Sequence, residues 1–255
     1  MAGKLYLVPT PLDFGTLDAD APAPDLQQVL PLEVLRVAAR LPMWIAENAK
    51  TTRAFLKRVH LVVPLQQPLQ SLQIQELPRP SKGSKATAPA PLDPLLTPVL
   101  QGQDAGLISE AGMPAVADPG ADVVRRAHEL GIEVVPLVGP SSLLLALAAS
   151  GMNGQSFAFV GYLPVDDAAR ATRIRELEAL AKRSGQTQMM IETPYRNPAL
   201  MQALLAHLQP ATRLSVACGL TLTTGWNRSQ PVQQWKRDGH ALPANVPAVF
   251  AIHGG

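Results

Sequence analysis

The sequence predicts an α/β protein that contains a parallel sheet. Two short apolar segments, residues 105–109 and 132–138, look like buried strands, and each is followed by a tight turn rich in Gly and Pro. A segment with helical spacing of its apolar residues follows each turn. This order of strand, turn and helix is typical of βαβ units. Because the ends of neighbouring parallel strands open on one crevice, we expect the two turns, 112–114 and 139–142, to line a common site.

The N-terminal part of the chain continues this pattern. Residues 4–8 form a strand-like run that ends in a Pro-Thr-Pro turn, and residues 43–46 suit a short strand that leads into Glu47. Residues 26–41 have helical spacing that is interrupted by a proline. Residues 51–59 carry apolar and basic side chains on opposite faces, as a short amphipathic helix does.

Residues 78–98 are rich in Pro, Ala, Ser and Lys, a composition that cannot bury much apolar surface. We expect a mobile surface loop there. The alternative is a basic lid over the crevice that carries Arg79, Lys82 and Lys85.

The second half of the chain repeats the α/β pattern. We expect strands at 157–163, 188–192, 213–219 and 247–253, helices at 168–184 and 198–208, and short strands or a hairpin at 221–226 and 231–235. This organisation predicts two domains, 1–154 and 155–255.

Composition excludes several classes of protein. A formal net charge of +2 is too small to indicate nucleic-acid binding by itself, and the single cysteine, Cys218, excludes an internal disulfide framework and a cysteine zinc site. The five histidines show no metal-ligand spacing, so we expect no metal. The N-terminal segment has no signal-peptide core, and the longest later apolar stretch, 143–149, is too short to span a membrane. A cytoplasmic protein without a membrane partner is therefore expected.

The predicted crevice suits a flat, uncharged ligand better than a nucleotide phosphate. The first turn lacks the lysine and the glycine spacing of a phosphate loop. Taken separately, each turn is also explained as an ordinary tight turn or helix cap. The candidate contacts are the apolar side chains of Met113, Val116 and Ala117 and, for a carboxylate, the hydroxyl and backbone N–H groups of Ser141 and Ser142.

Three acidic residues, Glu47, Glu110 and Glu192, each follow a predicted strand. Isolated acids in such positions are more often solvated or capping groups. Around one crevice they can also serve as polar ligand contacts or as proton acceptors.

Longer motifs carry a resemblance to a known family. The stretch LISEAGMPAVADPG, followed by GIEVVPLVGPSSLLLALAASGMNGQSFAFVGYLP, resembles the tetrapyrrole methylase superfamily. Within it, the sequence is similar to the branch of ribosomal RNA small-subunit methyltransferases I, which use S-adenosylmethionine to methylate a cytidine 2′ hydroxyl. LYLVPTP, IETPYRN and PAVFAIHG fit the same pattern in the same order, so the resemblance covers nearly the whole chain.

The resemblance implies two α/β domains with S-adenosylmethionine in the cleft between them, in a homodimer that acts on small-subunit ribosomal RNA. It leaves the catalytic residue unknown, with Glu110 and Glu47 as candidate bases. RNA contacts would fall on Arg53, Lys57 and Arg58 and on the loop with Lys82 and Lys85; ordinary solvated surface charges explain these basic residues equally well. The cofactor contacts that it implies are Leu12, Met113, Val116, Ala117, Ser141, Ser142, Glu192, Gly219, Pro247 and Ala248.

The sequence departs from the family pattern mainly in the half that would bind the substrate. The acidic AEDTR motif is replaced by AENAKTTR at residues 46–53, and a Lys-rich segment after GYLP is replaced by Val165-Asp166-Asp167. SDAGTP reads SEAGMP, and the IGNLGD-like loop reads LDFGTLDADAP. Two hypotheses therefore stay open: a methyltransferase with an altered acceptor, and a non-catalytic ligand-binding or assembly protein that keeps the fold.

Overall fold

The computed structural model describes residues 2–13, 24–78, 91–239 and 241–254. Contacts divide the chain into two compact units, Met1–Pro140 and Ser141–Gly255, and each unit has its own five-stranded sheet. This division falls before the predicted boundary at 154/155. The physical reason is the helix Ser142–Ser150, which buries Leu143 and Leu147 against the second sheet.

The first unit is built on a wholly parallel sheet in the order β3-β2-β4-β1-β5. Its strands are β1 (Lys4–Leu7), β2 (Met43–Ala46), β3 (Gln73–Glu76), β4 (Ala105–Ile108) and β5 (Glu133–Pro136). Its helices are α1 (Leu32–Arg40), α2 (Ala49–Val62), α3 (Asp93–Leu100) and α4 (Ala121–Glu129), with 3-10 turns at Leu26–Gln28 and Leu69–Ser71. Helices α1 and α2 cover one face of the sheet, and α3 and α4 cover the other.

The strand order creates a point where the chain changes direction. Strands β1 and β4 are neighbours in the sheet. The chain continues from β1 toward β2 in one direction along the sheet, and from β4 toward β5 in the opposite direction. Open parallel sheets bind ligands outside the carboxyl ends of neighbouring strands whose following connections run in opposite directions. Just beyond these two strand ends, Thr10 and Gly112 exchange backbone hydrogen bonds of 2.9 and 3.1 Å.

The second unit has a mixed sheet in the order β6-β7-β10-β8-β9, in which only β6 and β7 pair in parallel. Its strands are β6 (Phe157–Tyr162), β7 (Thr187–Ile191), β8 (Arg213–Cys218), β9 (Trp226–Pro231) and β10 (Ala248–His253). Its helices are α5 (Ser142–Ser150), α6 (Asp167–Ser184), α7 (Asn197–His207) and α8 (Val232–Asp238), with a 3-10 turn at Pro194–Arg196. Helix α5 covers one face, and α6, α7 and α8 cover the other.

The predicted α/β class is confirmed, and three local predictions are corrected. The predicted loop at 78–98 overlaps α3, which starts at an Asp-Pro pair because proline suits the first turn of a helix. Residues 231–235 lead into α8 rather than forming a strand, and β3 was not predicted. Arg79, Lys82 and Lys85 lie outside the described residues. None of the described helices is long and apolar enough to cross a membrane.

Candidate active site

The carboxyl ends of β2 and β4 bring two of the predicted acids together. Glu47 directly follows β2, and its N–H donates to the Ile108 carbonyl at 3.1 Å. The Glu110 N–H donates to Oε2 of Glu47, also at 3.1 Å, so one candidate carboxylate is held at the backbone of the other. The Thr51 hydroxyl lies 3.4 Å from Glu110 Oε1.

A third carboxylate, Asp118, joins this pair. Partial burial raises the pKa of Asp118 from its ordinary value to about 6, and repulsion from Glu47 and Glu110 acts in the same direction, while the Ser109 hydroxyl opposes the shift. We call Glu47, Glu110 and Asp118 the carboxylate cluster. A carboxyl group with a pKa near 6 can accept a proton close to physiological pH.

The Asp118-Pro119 pair predicts the start of a helix, because Asp can cap a helix and Pro suits its first position, so the sequence does not identify Asp118 as a site residue. Helix α4 instead begins at Ala121, with Gly120 as its N-cap residue and no side-chain cap. Asp118 therefore remains in the loop, where the parallel pairing of β2 with β4 brings Glu47 near it.

The loop between β4 and α4 contains a strained backbone. Ala115 and Ala117 have φ values of 65° and 64°, in the left-handed region that residues with a Cβ rarely adopt. Such a conformation costs on the order of 1–2 kcal/mol per residue and persists only where surrounding structure enforces it. The same loop presents half-buried Met113 and exposed Val116, the predicted adenosyl contacts.

A second strained loop follows β8. Thr221 has a φ of 69°, and it is the one remaining residue of the described chain, glycines aside, with a positive φ. The Gly219 N–H donates to the Pro247 carbonyl at 2.9 Å, and Ala248 pairs with Cys218. Antiparallel pairing of β8 with β10 thus brings together three of the predicted cofactor contacts, Gly219, Pro247 and Ala248.

The remaining predicted cofactor residues are in three settings. Ser141 is the N-cap residue of α5, but its hydroxyl forms no cap hydrogen bond, and Ser142 is the first residue of the helix. Leu12 lies against Gly112, where an added Cβ would come within 3.1 Å of Leu12 Cδ2. Glu192 is engaged within its own turn by an ion pair of 2.8 Å with Arg196 and by the Thr193 N–H at 2.6 Å.

The three predicted RNA contacts separate into two groups. Arg53 and Lys57 are exposed, whereas Arg58 is largely buried and forms an ion pair of 2.9 Å with Asp13. Arg58 also donates to the Pro24 carbonyl at 3.0 Å. It is therefore part of the packing around α2 rather than an open contact.

Helix α2 presents one continuous basic face. Its sequence contains no acidic residue, and its exposed cationic and imidazole side chains repeat at the spacing of one helical stripe. We call these residues the α2 basic face: Lys50, Arg53, Lys57 and His60. Within the described ranges, the three cations of this face form no ion pair with an acidic side chain.

Two cavities lie in the first unit. One of about 260 Å³ lies beside the carboxylate cluster, enclosed by the loop after β1, helix α2 and the end of β4. A larger cavity of about 560 Å³ lies at the other end of α2, where Leu61, Leu65 and Leu69 line it together with Lys57 and His60. No carboxylate lines the larger cavity, whereas Glu110 lines the smaller one. In the part of the chain that is described, no group of acidic, histidine and cysteine side chains is arranged to hold a metal.

Comparison with known proteins agrees with this geometry. The family model "Tetrapyrrole (Corrin/Porphyrin) Methylases" matches residues 46–225. The uroporphyrin-III-C-methyltransferase of Thermus thermophilus has the same fold, with a TM-score of 0.53 and 20% identity over 99% of this chain and 93% of that one. The family model, together with the two α/β units, thus identifies a methyltransferase.

Relatives give the finer likeness. The chain is 29% identical to ribosomal RNA small subunit methyltransferase I of Vibrio cholerae, over 90% of this chain and 69% of that protein. It is 33% identical to the Bacillus subtilis protein of the same name, over 79% of this chain and 59% of that one. The Mesorhizobium japonicum protein is 40% identical over 51% of this chain, which spans 43% of it. The chain belongs to the tetrapyrrole methylase family.

Proposed function

We propose that this protein transfers the methyl group of S-adenosylmethionine to a ribose 2′ hydroxyl of small-subunit ribosomal RNA. The observation that carries the proposal is the carboxylate cluster at the carboxyl ends of β2 and β4, next to the strained loop that carries the predicted cofactor contacts Met113 and Val116. Relatives named as ribosomal RNA methyltransferases support the acceptor class.

The part of the proposal that concerns the cofactor depends on how the residues of each unit, taken by itself, fit S-adenosylmethionine. All the described non-glycine residues with positive φ lie in the two loops that the family resemblance assigns to the cofactor. Apolar Met113 and Val116 suit the adenosyl group. The Ser141 hydroxyl, which does not cap α5, and the neighbouring Ser142 suit a carboxylate. Glu192, neutralised by Arg196, contributes polar backbone groups rather than a charge.

The part of the proposal that concerns the methyl acceptor depends on proton transfer from its hydroxyl. When bound, S-adenosylmethionine supplies a methyl group that is already activated by a sulfonium, so this chain has to orient the acceptor and take up its proton. Asp118, with its pKa near 6, is the member of the carboxylate cluster best matched to that role, and Glu110 lies at the cavity wall. Glu47 holds the cluster together through the Glu110 N–H.

RNA phosphates would follow the α2 basic face. Lys50, Arg53 and Lys57 repeat along one exposed stripe, and α2 begins directly after Glu47 and Asn48, beside the carboxylate cluster. Such contacts fix the position of a nucleic acid without reading its sequence. Arg58 is reassigned to the wall of the smaller cavity.

Two further properties follow from the resemblance and the acceptor. The protein acts as a homodimer, and ribosomal RNA as acceptor places it in the cytoplasm. Light scattering after size-exclusion chromatography tests the dimer; a monomer at micromolar concentration would remove that part of the proposal.

The test is methyl transfer from labelled S-adenosylmethionine to isolated small ribosomal subunits and to deproteinised small-subunit RNA from a strain that lacks the gene. We expect label in RNA, and digestion followed by mass spectrometry should place it on a ribose 2′ oxygen. If label appeared only on a tetrapyrrole, the acceptor would be a tetrapyrrole and not RNA. Cofactor binding without transfer to any of these acceptors would favour the non-catalytic alternative.

A further inference from the structure

Thr10 has a buried hydroxyl just beyond the carboxyl ends of β1 and β4. Its backbone is fixed by the bridge to Gly112, and its side chain is only 4% exposed. Among the described residues, Oγ1 of Thr10 has no hydrogen-bond partner. An unpartnered buried hydroxyl is destabilising, so its presence in a folded protein calls for an explanation.

Thr10 lines the cavity of about 260 Å³ beside the carboxylate cluster. A second donor at the same wall, Nε of Arg58, also lacks a hydrogen-bond partner in the described part of the chain. Two polar groups at one cavity are thus available to a ligand that presents oxygen or nitrogen acceptors.

The charges around the cavity indicate an uncharged ligand. The cation at the wall, Arg58, already pairs with Asp13, which lines the same cavity, and Glu110 adds a carboxylate. This balance disfavours a phosphate. The other lining groups are hydroxyls, including those of Thr51 and Ser109, and apolar surface that includes the ring of Phe55.

The size of the cavity limits the ligand further. Pockets for drug-sized ligands have volumes of roughly 300–1,000 Å³, so a cavity of about 260 Å³ suits a single small ring system with its substituents. A tetrapyrrole macrocycle is several times larger than one such ring system. A ribonucleoside has the required size, neutrality, acceptor atoms and a flat base that can lie against Phe55.

We propose that this cavity receives the acceptor ribonucleoside, extruded from the RNA, with Thr10 donating a hydrogen bond to it. Enzymes that do chemistry on a base take the nucleotide out of the stack into such a pocket, and the proposal extends this behaviour to a ribose acceptor. The inference rests on the proposed function. It places the nucleoside beside Glu110, while its phosphates continue along the α2 basic face.

The experiment measures binding of the four ribonucleosides and their 2′-deoxy forms to the full chain by ligand-observed NMR. The variant is Thr10→Val, which keeps the side-chain shape and removes the hydroxyl. The matched control is Thr187→Val, because Thr187 is completely buried and its hydroxyl donates to the Asn153 carbonyl at 3.0 Å, away from this cavity in sequence and unit.

The two variants should change opposite properties. Thr10→Val should weaken the binding of the preferred ribonucleoside about threefold to tenfold and leave the melting temperature unchanged or raised. Thr187→Val should lower the melting temperature and leave nucleoside affinity as in the wild type.

Three results would overturn the pocket. These are wild-type affinity in Thr10→Val, no saturable binding of any ribonucleoside to the wild type, and binding of inorganic phosphate in place of the nucleoside. Methyl transfer separates this inference from the proposed function. If the wild type methylates RNA and Thr10→Val does so with unchanged KM, the pocket is wrong and the methyltransferase stands; absence of transfer by the wild type removes the proposed function itself.

Discussion

Two acids, one buried in the second unit and one partly buried in the first, illustrate opposite uses of a carboxylate. Glu178 in α6 is 5% exposed, and it accepts hydrogen bonds from the Thr212 hydroxyl and from the Gln209 N–H at 2.9 Å. Lys182 lies 3.5 Å away and supplies a positive charge. Asp118 in the first unit has two other carboxylates as its charged neighbours, which add to the burial that raises its pKa.

The difference separates groups that stabilise a fold from groups that are available for chemistry. A buried acid that accepts hydrogen bonds and lies beside a cation is paired, so removing it leaves those donors without an acceptor and costs stability. A buried acid beside like charges costs stability, and such arrangements concentrate at functional sites. The comparison therefore predicts that removing Glu178 harms the fold, whereas removing Asp118 harms activity.

The largest expected effect is that of Glu178→Ala on stability. The substitution leaves the Thr212 hydroxyl and the Gln209 N–H without their acceptor and Lys182 without its partner, so the free energy of unfolding should fall by about 3 kcal/mol. Urea denaturation measures it. The control is Glu176→Ala on the same helix, an exposed residue with one ion pair to Arg173, which should change stability by less than about 0.5 kcal/mol. Equal losses in the two variants would contradict the role of Glu178.

Helix α2 shows a similar contrast, because Arg58 is paired with Asp13, whereas the α2 basic face is exposed and available to RNA. Replacing Lys50, Arg53 and Lys57 together with Ala should weaken RNA binding by about tenfold or more at low salt. It should also reduce the slope of log affinity against log salt by about 2, since each single-stranded phosphate contact contributes roughly 0.7. Filter binding over a salt series measures both, and circular dichroism should show an intact fold. An unchanged slope would show that RNA phosphates do not bind to the α2 basic face.

Asp118→Asn tests the first-unit acid through pH. The pKa of Asp118 is about 6 when folded and about 3.9 when unfolded, so its protonated form stabilises the fold below pH 4. That contribution disappears as the pH rises through 6. Because Asp118 is only partly buried, we expect a difference on the order of 1 kcal/mol.

In urea denaturation, the wild type should therefore lose stability between about pH 4 and pH 6 relative to Asp118→Asn. Methyl transfer by the variant should be slower at pH 7, whereas the wild type should slow only as pH falls below about 6. Asp122→Asn, an exposed acid on α4, should behave as the wild type in both measurements. A variant with full activity at pH 7 would exclude Asp118 as the proton acceptor.

The smallest expected effect concerns the strained loop after β4. Ala115→Gly removes the Cβ that disfavours its φ of 65°, so stability should rise by up to about 1 kcal/mol, while cofactor affinity should fall because the loop is less preorganised. Ala179→Gly, at an exposed position within α6, should instead lose about 1 kcal/mol. Unchanged cofactor affinity in Ala115→Gly would show that the strain serves no binding role.

The sequence predicted the elements whose patterns are local. The strand, turn and helix around β4 and β5 were predicted because apolar runs alternate with Gly and Pro turns over a short span. Strand β3 was missed because its four residues, QIQE, lie at the sheet edge and bury little surface. Helix α3 was missed because its prolines resemble those of a loop, although Pro94 is compatible with the first turn of a helix.

The candidate site was predicted where residues lie at strand ends and missed where it depends on distant neighbours. Glu47 and Glu110 were identified because each directly follows an apolar strand. The raised pKa of Asp118 comes from neighbours that only the parallel pairing of β2 with β4 brings near. The position of Arg58 on the helix predicted a basic surface residue, and its ion pair with Asp13 became evident only in three dimensions.

The central claim is that this protein uses S-adenosylmethionine, and calorimetric titration tests it most directly. The purified protein is titrated with S-adenosylmethionine and, in parallel, with S-adenosylhomocysteine. The account predicts saturable binding of both at micromolar concentration. No binding at millimolar ligand would contradict it and would leave the strained loops and the carboxylate cluster without the cofactor that explains them.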